Sequence, residues 1–181
     1  MSQHPSHLPR LGPEWYRGNA IVHWTTTTLN RAVGWLDEPF HASFRELMLH
    51  AAAREGLLCP VYCLMPDHFH LVWIGLRPDS DQRNAMAFLR THLKPSLAPH
   101  HQLQPQAYDH VLREEDRQPE AFAAVCDYVL ANPERKQLVS RWQDWPFCGA
   151  VLPGYPTLHP ARDDYWEKFW KLSAQLREEI T

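Results

Sequence analysis

The sequence predicts an α+β fold, a mainly antiparallel sheet with helices packed on it in one domain. Three observations carry this. Runs of β-branched and aromatic residues alternate with segments of helical periodicity, in the order strand, helix, hairpin, helix, strand, helix. The runs Leu57 to Leu64 and His68 to Gly75 are separated only by Met65-Pro66-Asp67, a turn composition that joins them as a hairpin. At 181 residues and 44% hydrophobic content, the chain fits one ordinary domain with a substantial core.

Residues 1–18 read as an irregular N-terminal segment. Ala20 to Thr28 is β-branched and aromatic and reads as the first strand. The helix that follows sets Phe40, Phe44, Leu47 and Met48 on one stripe and runs to about Glu55, where Gly56 stops it. After the hairpin, Asp81 to about Leu93 is a second helix with Met86, Leu89 and Leu93 on one face. A loop rich in proline and histidine leads to a short strand, Tyr108 to Arg113. A third helix starts near Pro119, a good first-turn residue, and ends before Pro133, because the residue preceding proline is pushed out of the helical region. Arg135 to Tyr155 is irregular, with one more short strand near Cys148 to Leu152. The last helix begins near Asp163 and aligns Tyr165, Phe169, Leu172 and Leu176.

Lys and Arg number 18 against 21 Asp and Glu, a formal charge of −3, so no large basic field advertises a nucleic-acid partner. The 12 histidines can add charge on protonation, and the basic set is Arg-rich, its lysines being Lys94, Lys136, Lys168 and Lys171. Apolar runs such as Leu71 to Ile74 fall far short of the roughly 20 residues of a membrane span. The first ten residues hold no apolar stretch of the kind an export signal has, so the expectation is a soluble, cytoplasmic protein without a membrane partner. Cys59, Cys63, Cys126 and Cys148 follow no compact disulfide framework and read as free thiols.

The residues richest in chemistry are Met65-Pro66-Asp67-His68-Phe69-His70. Side chains alternate on a strand, so His68 and His70 project together while Phe69 enters the core. Two imidazoles on one face are able to share a metal; a polar strand surface has the same pattern. On the third helix Tyr128 and Asn132 lie four residues apart and reach one point, flanking a packing stripe of Phe122, Val125 and Val129. Read alone, they are equally a wet core-edge phenol and a helix C-cap.

Taken together, His68-Phe69-His70 after Met65-Pro66 and the Tyr-x-x-x-Asn-Pro run from Tyr128 to Pro133 resemble the HUH single-tyrosine transposases, and more closely their REP-associated tyrosine transposase branch, a bacterial IS-like group acting on palindromic repeats. Tyr108-Asp-His-Val-Leu-Arg113, Asn132 to Val139 and Trp145-Pro-Phe-Cys-Gly149 occur in the family's order, so the resemblance covers about residues 15–155. It implies a ferredoxin-like sheet, a transposase-like domain over 19–155 and a helical extension over 156–181. It also implies cleavage and rejoining of single-stranded DNA beside a hairpin. Position by position, Tyr128 matches the nucleophile, and His68, His70 and Asn132 the metal ligands. A free phenol with pKa about 10 is a poor nucleophile at neutral pH, so the reaction needs a divalent ion that polarises the scissile phosphate. On the resemblance, that cofactor is Mg²⁺ or Mn²⁺. Asp67 stands where the family pattern has Asn, and the C-terminal segment Arg162 to Glu179, with five acids against four bases, offers no basic tail.

Other groups carry weaker signals. A C-x₃-C spacing puts the thiols of Cys59 and Cys63 on one strand face, which opens a zinc alternative with the histidines. Asp67 suits either a turn or a carboxylate that orients a histidine. For DNA contacts the candidates are Arg10, Trp15, Arg17 and Arg31 near the first strand, an Arg-and-aromatic set with Tyr16 and Trp24 that suits unpaired bases as well as a core. Arg83 and Arg90 share a helix face; His110, Arg113, Arg135 and Lys136 complete the set, and affinity resting on so local a patch is steeply salt-dependent. The partner expected is single-stranded DNA carrying a REP-like hairpin, bound by a monomer, with a dimer as the alternative. Two readings compete with the nuclease: a hairpin-binding regulator that does not cut, and an unrelated metal-dependent phosphodiesterase.

Overall fold

The computed structural model describes residues 10–113 and 118–180. Five strands, β1 (Ile21–Thr27), β2 (Leu57–Met65), β3 (His68–Gly75), β4 (Tyr108–Val111) and β5 (Cys148–Val151), form one sheet in the order β4-β1-β3-β2-β5. Every neighbouring pair is antiparallel. With α1 (Glu38–Glu55) between β1 and β2 and α2 (Gln82–Leu97) between β3 and β4, the first four strands make the split β-α-β-β-α-β arrangement of a ferredoxin-like fold, and β5 extends the β2 edge. α3 (Pro119–Leu130), a single turn α4 (Asn132–Arg135) and α5 (Tyr165–Ile180) complete the chain.

Local chemistry explains the boundaries. Asp37 caps α1, its carboxylate accepting from the Phe40 amide at 2.8 Å, and Gly56 closes the helix with φ of 62°, a conformation that favours glycine. Asp81 accepts from the Arg83 and Asn84 amides and starts α2. Gly75 lies so close to Gly18 that a Cβ would come within 1.8 Å of the Gly18 carbonyl oxygen. Against the expected stop near Leu93, α2 runs through Pro95 to Leu97; burying Leu97 offsets the amide hydrogen bond that proline lacks. Between α3 and α4 the chain does not leave the helical region at Pro133. Ala131 takes φ −75° and ψ −2°, and Pro133 enters the first turn of α4, where its missing N–H is not needed. The N-terminal segment is less irregular than its composition implies: Pro13–Tyr16 forms a 3₁₀ turn, fixed by a 2.6 Å hydrogen bond from the buried Tyr16 hydroxyl to Asp109. Residues 1–9 lie outside the described residues.

Helices cover both faces of the sheet. On one, Phe44 and Met48 of α1 and Leu89 and Leu93 of α2 pack on Trp24, Phe69, Leu71 and Trp73. Gln82 satisfies three polar groups inside that core: its amide donates to the Ala20 and Trp73 carbonyls and accepts from the Trp24 indole. On the other face, Phe122, Cys126, Val129 and Leu130 of α3 and Tyr165, Phe169 and Leu172 of α5 pack on Val61, Cys63, Val72 and Ile74. Cys126, not the half-buried Val125, therefore centres the α3 stripe.

Pro60 sits at a bulge where the pairing of β2 with β3 and β5 shifts register. The shift swaps the parity of the strand, so Cys59 faces the first core and Cys63 the second. The expectation that both thiols share a face is thus wrong, and with it goes the zinc site built on them. All four cysteines are buried and unpaired. Among the described residues no helix is long and apolar enough to cross a membrane.

Candidate active site

The cover on the second face ends before the sheet does. Beyond α3, the outward residues of β1, β3 and β4 line an open cleft of about 450 Å³, walled by His23, Thr25, His68, His70 and Tyr108 on the sheet and by Tyr128, Asn132, Arg135 and Lys136 from the α3–α4 corner. Alternation along β3 sends Phe69 into the core and both histidines into this cleft. Sheet pairing sets Thr25 opposite His70 and His23 opposite His110.

The histidines are held by their neighbours. Asp67 Oδ1 accepts from His68 Nδ1 at 2.6 Å, and since a carboxylate only accepts, Nδ1 carries a proton and the ring is turned so that Nε2 faces the cleft. Asp67 is itself bound by Arg31 at 2.8 Å. Burial works to raise its pKa, but the hydrogen bonds from His68 and Arg31 hold it below the usual carboxylate value. Arg31 reaches Asp67 from a turn in which Asn30 and Arg31 both adopt the left-handed region, φ 56° and 54°, a conformation that costs side-chain-bearing residues free energy. Thr28 ties that turn to the hairpin, its amide and hydroxyl both donating to the Asp67 carbonyl.

His70 is fixed at its other nitrogen. Nδ1 lies 3.0 Å from Thr25 Oγ1 and 3.1 Å from His23 Nε2, which leaves Nε2 pointing at His68. Burial, then the nearby His23 and His68, lower the pKa of His70 to about 3; burial, then His110, lower that of His23 to about 4. Both rings are therefore neutral at physiological pH and able to act as lone-pair donors.

The two Nε2 atoms stand 3.0 Å apart. Two imidazole nitrogens at that distance share a proton or a cation. Two ligands at right angles around an ion with bonds of about 2.1 Å are separated by about 3 Å, so the pair fits a small divalent ion. Among the described residues no three His, Cys, Asp or Glu side chains form a group able to hold a metal, so a further protein donor has to be of another type. Asn132, an amide, lines the same cleft. Its Nδ2 donates to the Tyr128 and Val129 carbonyls at 2.8 and 3.2 Å, capping α3, and Oδ1 takes no part in those bonds. Its cap and ligand readings are compatible.

Tyr128 is 45% exposed at the mouth of the cleft. Its ring lies 6.0 Å, edge-on, from those of both His23 and His70, and the Arg135 guanidinium covers it at 4.7 Å. Arg135, Lys136 and Arg31 make the cleft cationic. The remaining DNA candidates divide. Arg10, Arg17, Arg83 and Arg90 line a separate cavity beside α2; Trp15, although exposed, lines neither, nor do His110 and Arg113. Two aromatic members of the first-strand set are corrected: Tyr16 and Trp24 are fully buried, and no base can stack on them. His23, Thr25 and Tyr108 were not foreseen. Strand alternation puts His23 and Thr25 on one face, but only the pairing of β1 with β3 aims them at His70.

No family model matches the chain, and no curated protein does. Fold and cleft together define an α+β protein with a paired-histidine site beside an exposed tyrosine. Among solved structures, a REP-associated tyrosine transposase bound to a REP hairpin superposes with a TM-score of 0.65 at 19% identity, covering 82% of each chain, and this chain shares its fold. A Deinococcus radiodurans R1 protein named as a transposase overlaps with a TM-score of 0.43 at 17% identity, over 71% of this chain and 95% of that one.

Proposed function

We propose that the protein is a metal-dependent endonuclease and strand transferase of single-stranded DNA, acting beside palindromic, REP-type hairpins through a covalent 5′-phosphotyrosine. The observation that carries this reading is the convergence of the His68 and His70 Nε2 atoms, 3.0 Å apart, in the cleft where Tyr128 stands exposed under Arg135, on a fold shared with a transposase bound to a REP hairpin. His68, His70 and Asn132 Oδ1 are the residues that would hold Mg²⁺ or Mn²⁺. Bound there, the ion would polarise the scissile phosphate and offset the charge that develops on it.

Tyr128 Oη loses its proton to solvent and attacks phosphorus; the Oη–P bond forms, the P–O3′ bond breaks, and the departing 3′ oxygen takes up a proton. Rejoining reverses the step with a second 3′ hydroxyl. Asp67 and the Thr25–His23 pair keep both imidazoles turned toward the phosphate. Arg135 and Lys136 hold the phosphodiester against the phenol by charge-assisted hydrogen bonds. The Tyr128 ring lies beside its own chain's His23 and His70, which supports a monomer as the working unit.

The test is incubation with single-stranded hairpin oligonucleotides and Mg²⁺ or Mn²⁺, followed by denaturing electrophoresis. A covalent protein–DNA species lost with chelator and in Tyr128→Phe is the expected result. Tight hairpin binding with no adduct would replace the nuclease by a non-cleaving regulator, and turnover of a generic phosphodiester by Tyr128→Phe would replace it by a hydrolase.

A further inference from the structure

Two adjoining cavities of about 640 and 610 Å³ share Ala87, Arg90 and Pro105 as a common wall and form one groove along α2. The groove runs beside a helix of 16 residues, about 24 Å long. Arg10, Arg17 and Arg83 line one half, Lys94 and His101 the other, with Arg90 between them. Asp81 is the single acid in the lining, and it is engaged by Arg17 at 2.9 Å. In a chain of net charge −3 this is a concentrated local excess of cations.

Arg90 is the unusual member. Its Nη2 donates to the Gln104 and Pro105 carbonyls, but its Nη1 is buried with no hydrogen-bond partner. Buried polar groups are nearly always satisfied, and this donor, unlike the unpartnered core indoles of Trp35 and Trp73, stands at the wall of a cationic groove. Along α2, Arg83, Arg90 and Lys94 succeed one another at seven and four residues, about 10 and 6 Å apart, a row that suits a repeated anion more than a single one.

We infer that this groove is a second nucleic-acid contact, gripping a phosphodiester backbone at a distance from the scissile bond. The inference rests on the reading of the substrate as DNA and extends it. Groove and cleft lie on opposite sides of β4, the outermost strand: Tyr108 lines the cleft, whereas Ala107 lines the groove and the Asp109 side chain turns to Tyr16 and Arg10. DNA held in the groove enters the cleft by rounding that edge. The arginines donate to phosphate oxygens and read no sequence, so they set affinity and register while the cleft does the chemistry.

Fluorescence anisotropy with a labelled hairpin oligonucleotide bearing an unpaired flank tests this over a series of salt concentrations. Arg83→Glu/Lys94→Glu changes two exposed residues, and Lys168→Glu/Lys171→Glu on α5 makes the same change of charge elsewhere. The groove variant is expected to bind at least about tenfold more weakly, with a plot of log K against log salt shallower by about two, while the α5 variant stays near wild type. An unchanged salt slope, or an equal loss in the α5 variant, overturns the groove even where the adduct forms. Inorganic phosphate competing as well as an oligonucleotide at equal phosphate concentration makes it a site for free phosphate and overturns the backbone reading. Groove-dependent binding without a Tyr128 adduct overturns the nuclease and leaves the groove standing, and no binding by the wild type overturns both.

Discussion

The two faces of the sheet are built from the same strands and end up with opposite characters. On the face covered by α1 and α2, Val22, Trp24, Phe69, Leu71 and Trp73 are all at most 1% exposed and meet apolar side chains. On the other, α3 and α5 seal β2, β5 and the far half of β3, then stop, and His23, Thr25, His68, His70 and Tyr108 fill the gap. Alternation fixes which residues share a face, but the extent of helix cover decides which of them line a cleft. The closed face is a source of stability. The open face holds imidazoles, strained turn residues and an exposed phenol, groups that add little to folding and suit chemistry.

If that division of labour is right, changes on the two faces separate cleanly. Tyr128→Phe has the largest effect: the DNA adduct disappears entirely on denaturing gels, while hairpin affinity by anisotropy stays within about twofold, because only the attacking oxygen is removed. Phe44→Ala, on the closed face, lowers the unfolding free energy by about 3–5 kcal/mol in urea titrations, yet adduct yield per folded molecule is unchanged. A loss of chemistry there without loss of stability would break the comparison.

Thr25→Val keeps the β-branched shape and removes the hydroxyl at His70 Nδ1. Mn²⁺ affinity of the DNA-free protein, followed by electron paramagnetic resonance, falls by about tenfold, with the urea midpoint nearly constant. Unaltered Mn²⁺ affinity would deny Thr25 a positioning role.

The smallest effect is in pH. His41, remote from the cleft, lies 2.8 Å from the Tyr62 hydroxyl, which also accepts from Arg45. Burial first, then Arg45 and His159, lower its pKa from 6.5 to about 4. The unfolded chain therefore binds a proton that the folded one refuses, so the stability due to this group is complete above about pH 6.5 and is lost as pH falls toward 4. Urea midpoints measured across that range decline less steeply in His41→Gln than in the wild type.

Much of this was legible in the residues. Gly56 and the Met65-Pro66-Asp67 turn act within a few residues of themselves, so the end of α1 and the hairpin followed from composition. The common direction of His68 and His70 required only the two-residue period of a strand, and the exposure of Tyr128 only the stripe it flanks. Failures came where a long-range contact overrode a local rule. Leu97 is drawn into the core past Pro95; the bulge at Pro60, whose carbonyl accepts from the Tyr165 hydroxyl of α5, separates Cys59 from Cys63. Tyr16 and Trp24, equally suited by type to stacking on bases, are claimed by the core.

By itself, then, the sequence determined the strands and helices, the facing of the histidine pair and the four-residue step from Tyr128 to Asn132, because periodicity and turn chemistry are local. Only the tertiary structure decided that His23 and Thr25 grip His70, that Arg31 reaches Asp67 across 36 positions, and that the basic residues split between a cleft and a groove on opposite sides of β4. Strand register and helix cover bring together residues that are distant in the chain, and no local pattern records those distances.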